Sequence, residues 1–70
     1  VIEYYLKISL LEGKKIKIIY QKENELTERM IKVNKIEDDK VEAFCYLRKG
    51  RRIFKKRNIL AAELLETKEY

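Results

Sequence analysis

Proline is absent from this chain and glycine stands only at positions 13 and 50, so the backbone has few places where it can turn without steric cost. Gly13 follows Leu10-Leu11-Glu12 and precedes two lysines. A glycine so placed suits the C′ position of a helix, where the left-handed conformation carries no Cβ penalty. Glu3 and Lys7 are spaced i, i+4 in the favourable order, with Glu3 near the positive N-terminal end. The spacing predicts a helix over residues 2–12. The same residues also alternate, Ile2, Tyr4, Leu6, Ile8 and Leu10 against Glu3, Tyr5, Lys7, Ser9 and Leu11, which fits an edge strand. In the helix, Ile2, Tyr5, Leu6 and Leu10 make the inward stripe. Tyr4, Ile8 and Leu11 then widen the apolar face beyond what a small fold can cover, leaving a surface for a partner protein or a homodimer.

Beyond Gly13 the apolar period changes to two. In Lys15-Ile16-Lys17-Ile18-Ile19-Tyr20 isoleucines alternate with lysines, as in a half-buried strand. Lys22-Glu23-Asn24-Glu25 is a polar turn. Thr27, Arg29, Ile31 and Val33 then share one face of a second strand, with Met30, Lys32 and Asn34 on the other. Glu37-Asp38-Asp39 marks another turn. Residues 41–47 are nearly all apolar, which predicts a third strand buried on both faces. Lys49-Gly50 predicts a short hairpin into a fourth strand over residues 52–55. Residues 58–62 suit a brief helical turn, and residues 63–65 a last strand. Short strands at near-regular spacing in so small a chain point to a barrel, because closure removes open sheet edges. The expectation is a mainly β fold with a minor α part. One domain covers residues 1–70, with a helix at 2–12 and a small β-barrel of about five strands over 15–66.

Composition limits the chemistry. Cys45 is the only cysteine and histidine is absent, so neither an internal disulfide nor a Cys/His metal site can form. A lone thiol suits a reducing compartment. No apolar run approaches the roughly 18–20 residues of a membrane span. The apolar start is interrupted by Glu3, Lys7 and Glu12, and no small-residue cleavage site follows. A cytoplasmic protein without a membrane partner is expected. Cys45 lies between aromatics with nothing to activate it, Ser9 stands alone, and no glycine-rich phosphate loop occurs. Glu37-Asp38-Asp39 lacks the alternation and glycine of a calcium loop. No catalysis, cofactor or metal is expected.

The net charge of +5 is unevenly placed. Residues 48–58 carry seven cations, Arg48, Lys49, Arg51, Arg52, Lys55, Lys56 and Arg57, and no acid. Arginine pairs with phosphate oxygens two at a time, and a cationic stripe is the footprint of nucleic-acid binders. The plainer alternative is a solvated turn. Arg52 shares its strand face with Phe54, and Arg29 with Ile31 and Val33, so each must be paired or meet a ligand. Glu42 on the neighbouring strand is the internal partner available to Arg52. Tyr20, Phe44 and Tyr46 are either core residues or platforms for bases.

Three segments together resemble the WYL domain, a bacterial ligand-sensing module built on an Sm-like, SH3-type barrel. They are Lys17-Ile18-Ile19-Tyr20 behind a helix; Thr27-Glu28-Arg29-Met30-Ile31-Lys32-Val33; and residues 43–54, Ala43-Phe44-Cys45-Tyr46-Leu47-Arg48-Lys49-Gly50-Arg51-Arg52-Ile53-Phe54, followed by Asn58-Ile59-Leu60. The resemblance covers about residues 2–66. The tripeptide that names the family reads Asp39-Lys40-Val41 here, keeping only the aliphatic member, and the proline that ends its second strand reads Val33. The resemblance implies a stand-alone, non-enzymatic sensory or regulatory barrel acting in bacterial transcription. Its effector would be anionic, a nucleotide, an oligonucleotide or another phosphate ligand, held at Tyr20, Arg29, Arg52 and Phe54 with Arg48 adjacent. Two alternatives stand beside it. DNA or RNA could meet the basic hairpin directly through Lys49, Arg51, Lys55 and Lys56, or the apolar helix could make the chain an interaction or dimerisation module.

Overall fold

The computed structural model describes residues 1–65. It consists of one N-terminal helix and one antiparallel sheet of five strands. Helix α1 runs Ile2–Glu12 and ends at Gly13, whose φ of 67° and ψ of 28° make the left-handed cap. Leu6 is buried, Ile2 and Leu10 pack against the core, and Tyr4 and Leu11 remain 62% and 80% exposed. A Cβ at Gly13 would meet nothing nearer than the flexible Lys32 side chain at 3.5 Å. Gly13→Ala therefore isolates the backbone cost, expected at about 1–2 kcal/mol and read as a lower thermal midpoint with an unchanged circular dichroism spectrum.

The strands are β1 Ile16–Lys22, β2 Glu25–Ile36, β3 Lys40–Cys45, β4 Gly50–Lys55 and β5 Ile59–Leu64, with a 3-10 turn, Lys56–Asn58, leading into β5. Their order across the sheet is β4-β3-β2-β1-β5. Strand β2 pairs with different neighbours along its two halves. It runs against β1 from Lys22↔Glu25 to Ile16↔Ile31, and against β3 from Ile31↔Cys45 to Ile36↔Val41. A bulge between Val33 and Lys35 bends the second half. The inner faces thus enclose one core, in which Leu6 of the helix meets Ile16, Ile18, Ile31, Val33, Val41, Ala43, Cys45, Phe54 and Ile59.

Tyr20 shows how far the sheet curls. Although β2 and β3 lie between β1 and β4, the Tyr20 hydroxyl accepts the Lys55 amide of β4 at 3.0 Å. Its ring also meets Phe54 edge-on at a centroid distance of 5.0 Å. In a flat sheet those strands would lie roughly 14 Å apart. Among the described residues no ladder joins β4 to β5; the 3-10 turn carries the chain from one to the other.

The helix is fastened by Ser9, which is fully buried. Its Oγ donates to the Lys14 carbonyl at 2.6 Å and accepts the Val33 amide at 2.9 Å. Continuing the β1–β2 register sets residue 14 opposite Val33, so the hydroxyl sits where the ladder would otherwise extend.

Three expectations need correction. Strand β3 stops at Cys45 and is not buried on both faces: Val41, Ala43 and Cys45 point inward, while Glu42 and Phe44 stay partly exposed. The helix packs chiefly on β2 and β5 and leaves the outer face of β3 uncovered. The β3–β4 connection is a four-residue turn over residues 46–49. Within it Lys49 takes the positive φ, 53°, and Gly50 is already in the ladder opposite Cys45. The helical turn comes earlier than expected, and residues 59–62 are strand. Ile59 is only 4% exposed and pairs with Tyr20, so core packing and the sheet outweigh the helical preference of Ala61-Ala62. Glu66, the last residue of the anticipated barrel, lies outside the described residues. Among the described residues no helix is long and apolar enough to cross a membrane.

Candidate functional site

Where the sheet brings β4 over towards β1, a cavity of about 320 Å³ opens. Tyr20, Lys22, Thr27 and Arg29 line it from β1 and β2, Arg52, Ile53, Phe54 and Lys55 from β4, and Glu23 from the turn that joins β1 to β2. The strand phases explain the placement. Thr27 and Arg29 continue the inward row of Ile31 and Val33, and Arg52 stands two residues before the buried Phe54, opposite Ala43. Both arginines are half-buried. Tyr20 is held at both ends: its hydroxyl takes the Lys55 amide, and its carbonyl accepts Thr27 Oγ1 at 3.2 Å.

Four of the five anticipated ligand residues, Tyr20, Arg29, Arg52 and Phe54, therefore meet at one cavity. Arg48 does not line it; it is exposed in the turn over residues 46–49. Of the cations considered for direct nucleic-acid contact, Lys55 lines the cavity and Lys49 and Arg51 are exposed. Lys56 is engaged with Glu3 of the helix at 2.9 Å. That hydrogen bond holds the Glu3 carboxyl below its ordinary range. Cys45 is sealed in the core at 1% exposure.

Charge singles out the site. Lys22, Arg29, Arg52 and Lys55 line the cavity against one acid among the described residues, Glu23. Among the described residues none of these four cations enters an ion pair. Glu42, the partner anticipated for Arg52, instead meets Arg51 at 3.3 Å. The register explains this, because Glu42 stands opposite Ile53 and shares its outward face with Arg51. A neighbouring cleft of about 600 Å³ shares Tyr20, Ile53 and Lys55; there Asp38 and Asp39 stand among Lys40, Lys55, Lys56 and Arg57, and Lys56 is already engaged with Glu3.

Sequence reasoning missed Lys22, Glu23 and Thr27. Thr27 was visible on the face of Arg29, whereas the other two come into place only because β1 and β2 are joined tightly, with Lys22 paired to Glu25. Glu23 takes φ 55° in that turn, a conformation costing an L-residue roughly 1–2 kcal/mol. Glu23→Gly should therefore stabilise the protein by about 1 kcal/mol and also tighten phosphate binding, since Glu23 is the one carboxylate that lines the cavity among the described residues. Thermal melts with and without inorganic pyrophosphate check both effects.

No model of a known protein family matches this chain, and no curated protein matches it either.

Proposed function

We propose that this protein is a non-enzymatic binding module that holds a phosphate-bearing effector, such as a nucleotide or short oligonucleotide, in the cavity between the β1–β2 hairpin and β4. One observation carries the proposal: Arg29 and Arg52, half-buried on inward strand faces and without an acid partner among the described residues, line the same cavity. Two such charges repel each other and are partly desolvated, which an anion between them reverses. A phosphate group offers several oxygens to two guanidinium forks. The edge-on pair of Tyr20 and Phe54 supplies an apolar wall for the rest of the ligand. The resemblance to WYL domains supports the same four residues and extends the proposal to a sensory role in bacterial transcription regulation in the cytoplasm.

A thermal-shift screen tests it, using inorganic phosphate, pyrophosphate, nucleoside phosphates and short oligonucleotides at low and high salt. At least one should raise the melting point. Arg52→Ala should cancel that rise, and Arg57→Ala should leave it. If no phosphate compound shifts the melting point at either salt concentration, the proposal fails.

A further inference from the structure

The outer face of the sheet carries a second cationic surface, one that the cavity does not use. Because β3 alternates, Phe44 points outward, and the registers set it between Lys32 of β2 and Arg51 of β4. Tyr46 follows in the turn; its amide donates to the Met30 carbonyl at 3.0 Å and its ring meets Phe44 edge-on at 5.0 Å. The Lys15 ammonium lies 4.3 Å from the centre of the Tyr46 ring. Beyond the pair, the turn presents Leu47, 68% exposed, together with exposed Arg48 and Lys49. Among the described residues, the one carboxylate ion-paired with this group is Glu42, on Arg51. Elsewhere on the outer face, Glu28 and Glu63 are both drawn to Lys17, at 3.6 and 2.9 Å.

Single exposed apolar side chains are ordinary, and lysines on a strand surface serve solubility. Here two part-exposed rings lie edge to face, and their charged neighbours are almost all positive. We propose that this outer band binds single-stranded nucleic acid, with Phe44 and Tyr46 stacking on bases and Lys15, Lys32 and Arg51 meeting phosphates. Ring stacking needs unpaired bases, since a duplex buries the faces of its bases in its own stack. Lys15 is placed for the exchange: its ammonium covers the Tyr46 ring in the free protein and moves to a phosphate when a base takes that face. From Lys32 to Arg51 the band crosses two strand spacings, roughly 10 Å, which suits a run of a few nucleotides. Phe44, Tyr46, Lys15, Lys32 and Arg51 are all absent from the cavity lining, so this site stands or falls independently of the proposed effector site.

The test is fluorescence anisotropy with a labelled short oligothymidylate and a duplex of the same length, each titrated at low and high salt. The single strand should bind more tightly. Phe44→Leu and Tyr46→Ser should each weaken it roughly tenfold while leaving the salt slope unchanged. Lys32→Ala should reduce both the affinity and the slope. Arg29→Ala and Arg52→Ala, which alter only the effector cavity, should still bind the strand and keep its preference over the duplex. Tyr46 lies outside every strand, so its variant keeps the test valid should Phe44→Leu unfold. Equal binding of duplex, aromatic variants that bind like the parent, or abolition of single-strand binding in the Arg29 or Arg52 variants would each overturn the proposal.

Discussion

Ser9→Ala, which removes a single oxygen, is expected to lower stability by about 2–3 kcal/mol and the melting point by roughly 10–20 °C. The hydroxyl both donates to Lys14 and accepts from Val33. Its loss leaves two backbone groups without a partner, and they are not equivalent. Lys14 is an exposed residue and its bond to Ser9 is only partly buried, whereas Val33 is 2% exposed and its bond is fully buried. Most of the penalty therefore falls on Val33. The same bond is the helix's polar attachment to β2, next to the bulge, so its loss also weakens the grip of the helix on the core. Urea unfolding should show a lower midpoint with an unchanged slope, because the surface exposed on unfolding is the same. A variant within 0.5 kcal/mol or so of the parent, an ordinary surface effect, would mean that the hydroxyl is replaceable by water.

Arg29→Ala and Arg52→Ala should do the opposite to the free protein and far more to the bound one. Removing one of two unpaired cations from a shared cavity relieves repulsion, so each variant should be as stable as the parent or more stable by up to about 1 kcal/mol. Each should also weaken phosphate binding by roughly 10- to 100-fold, the worth of a charge-assisted hydrogen bond of about 1.5–3 kcal/mol. Because both arginines would hold one group, the double variant should lose less than the two single losses combined. Isothermal titration with pyrophosphate alongside thermal melts of the free proteins reads both quantities. Destabilisation without loss of binding would assign the arginines to structure instead.

The parts of the fold legible in the sequence are those where local pattern and tertiary packing agree. Gly13 ends the helix as its position suggested, and alternation in β1, β2 and β4 gave the inward faces on which Arg29 and Arg52 lie. That is why four of the anticipated residues meet. Alternation says less where the strand phase is reset or hidden. The bulge after Val33 inserts a residue, so that Ile36 returns to the inner face. Residues 41–47 are too uniformly apolar to reveal which of them face inward, and Phe44 proved to be outside. Ser9 reads in one dimension as a polar interruption of an apolar helix. Its partners, at positions 14 and 33, come together only in the fold. Glu42, the internal partner available to Arg52, meets Arg51 instead, because it stands opposite Ile53 on the outward face whereas Arg52 shares the inward face of Phe54.

The burial of Cys45 makes the molecule its own reporter. It is the only thiol in the chain, it is 1% exposed, and it belongs to the row of the core that β2 and β3 share. A thiol reagent cannot reach it while β2 and β3 stay paired over the core, so labelling waits on an opening that separates these strands. When reclosure is faster than labelling, the rate measures the free energy of that opening in native buffer. The thickness of this small core can thus be gauged without denaturant, without a tag and without altering a residue.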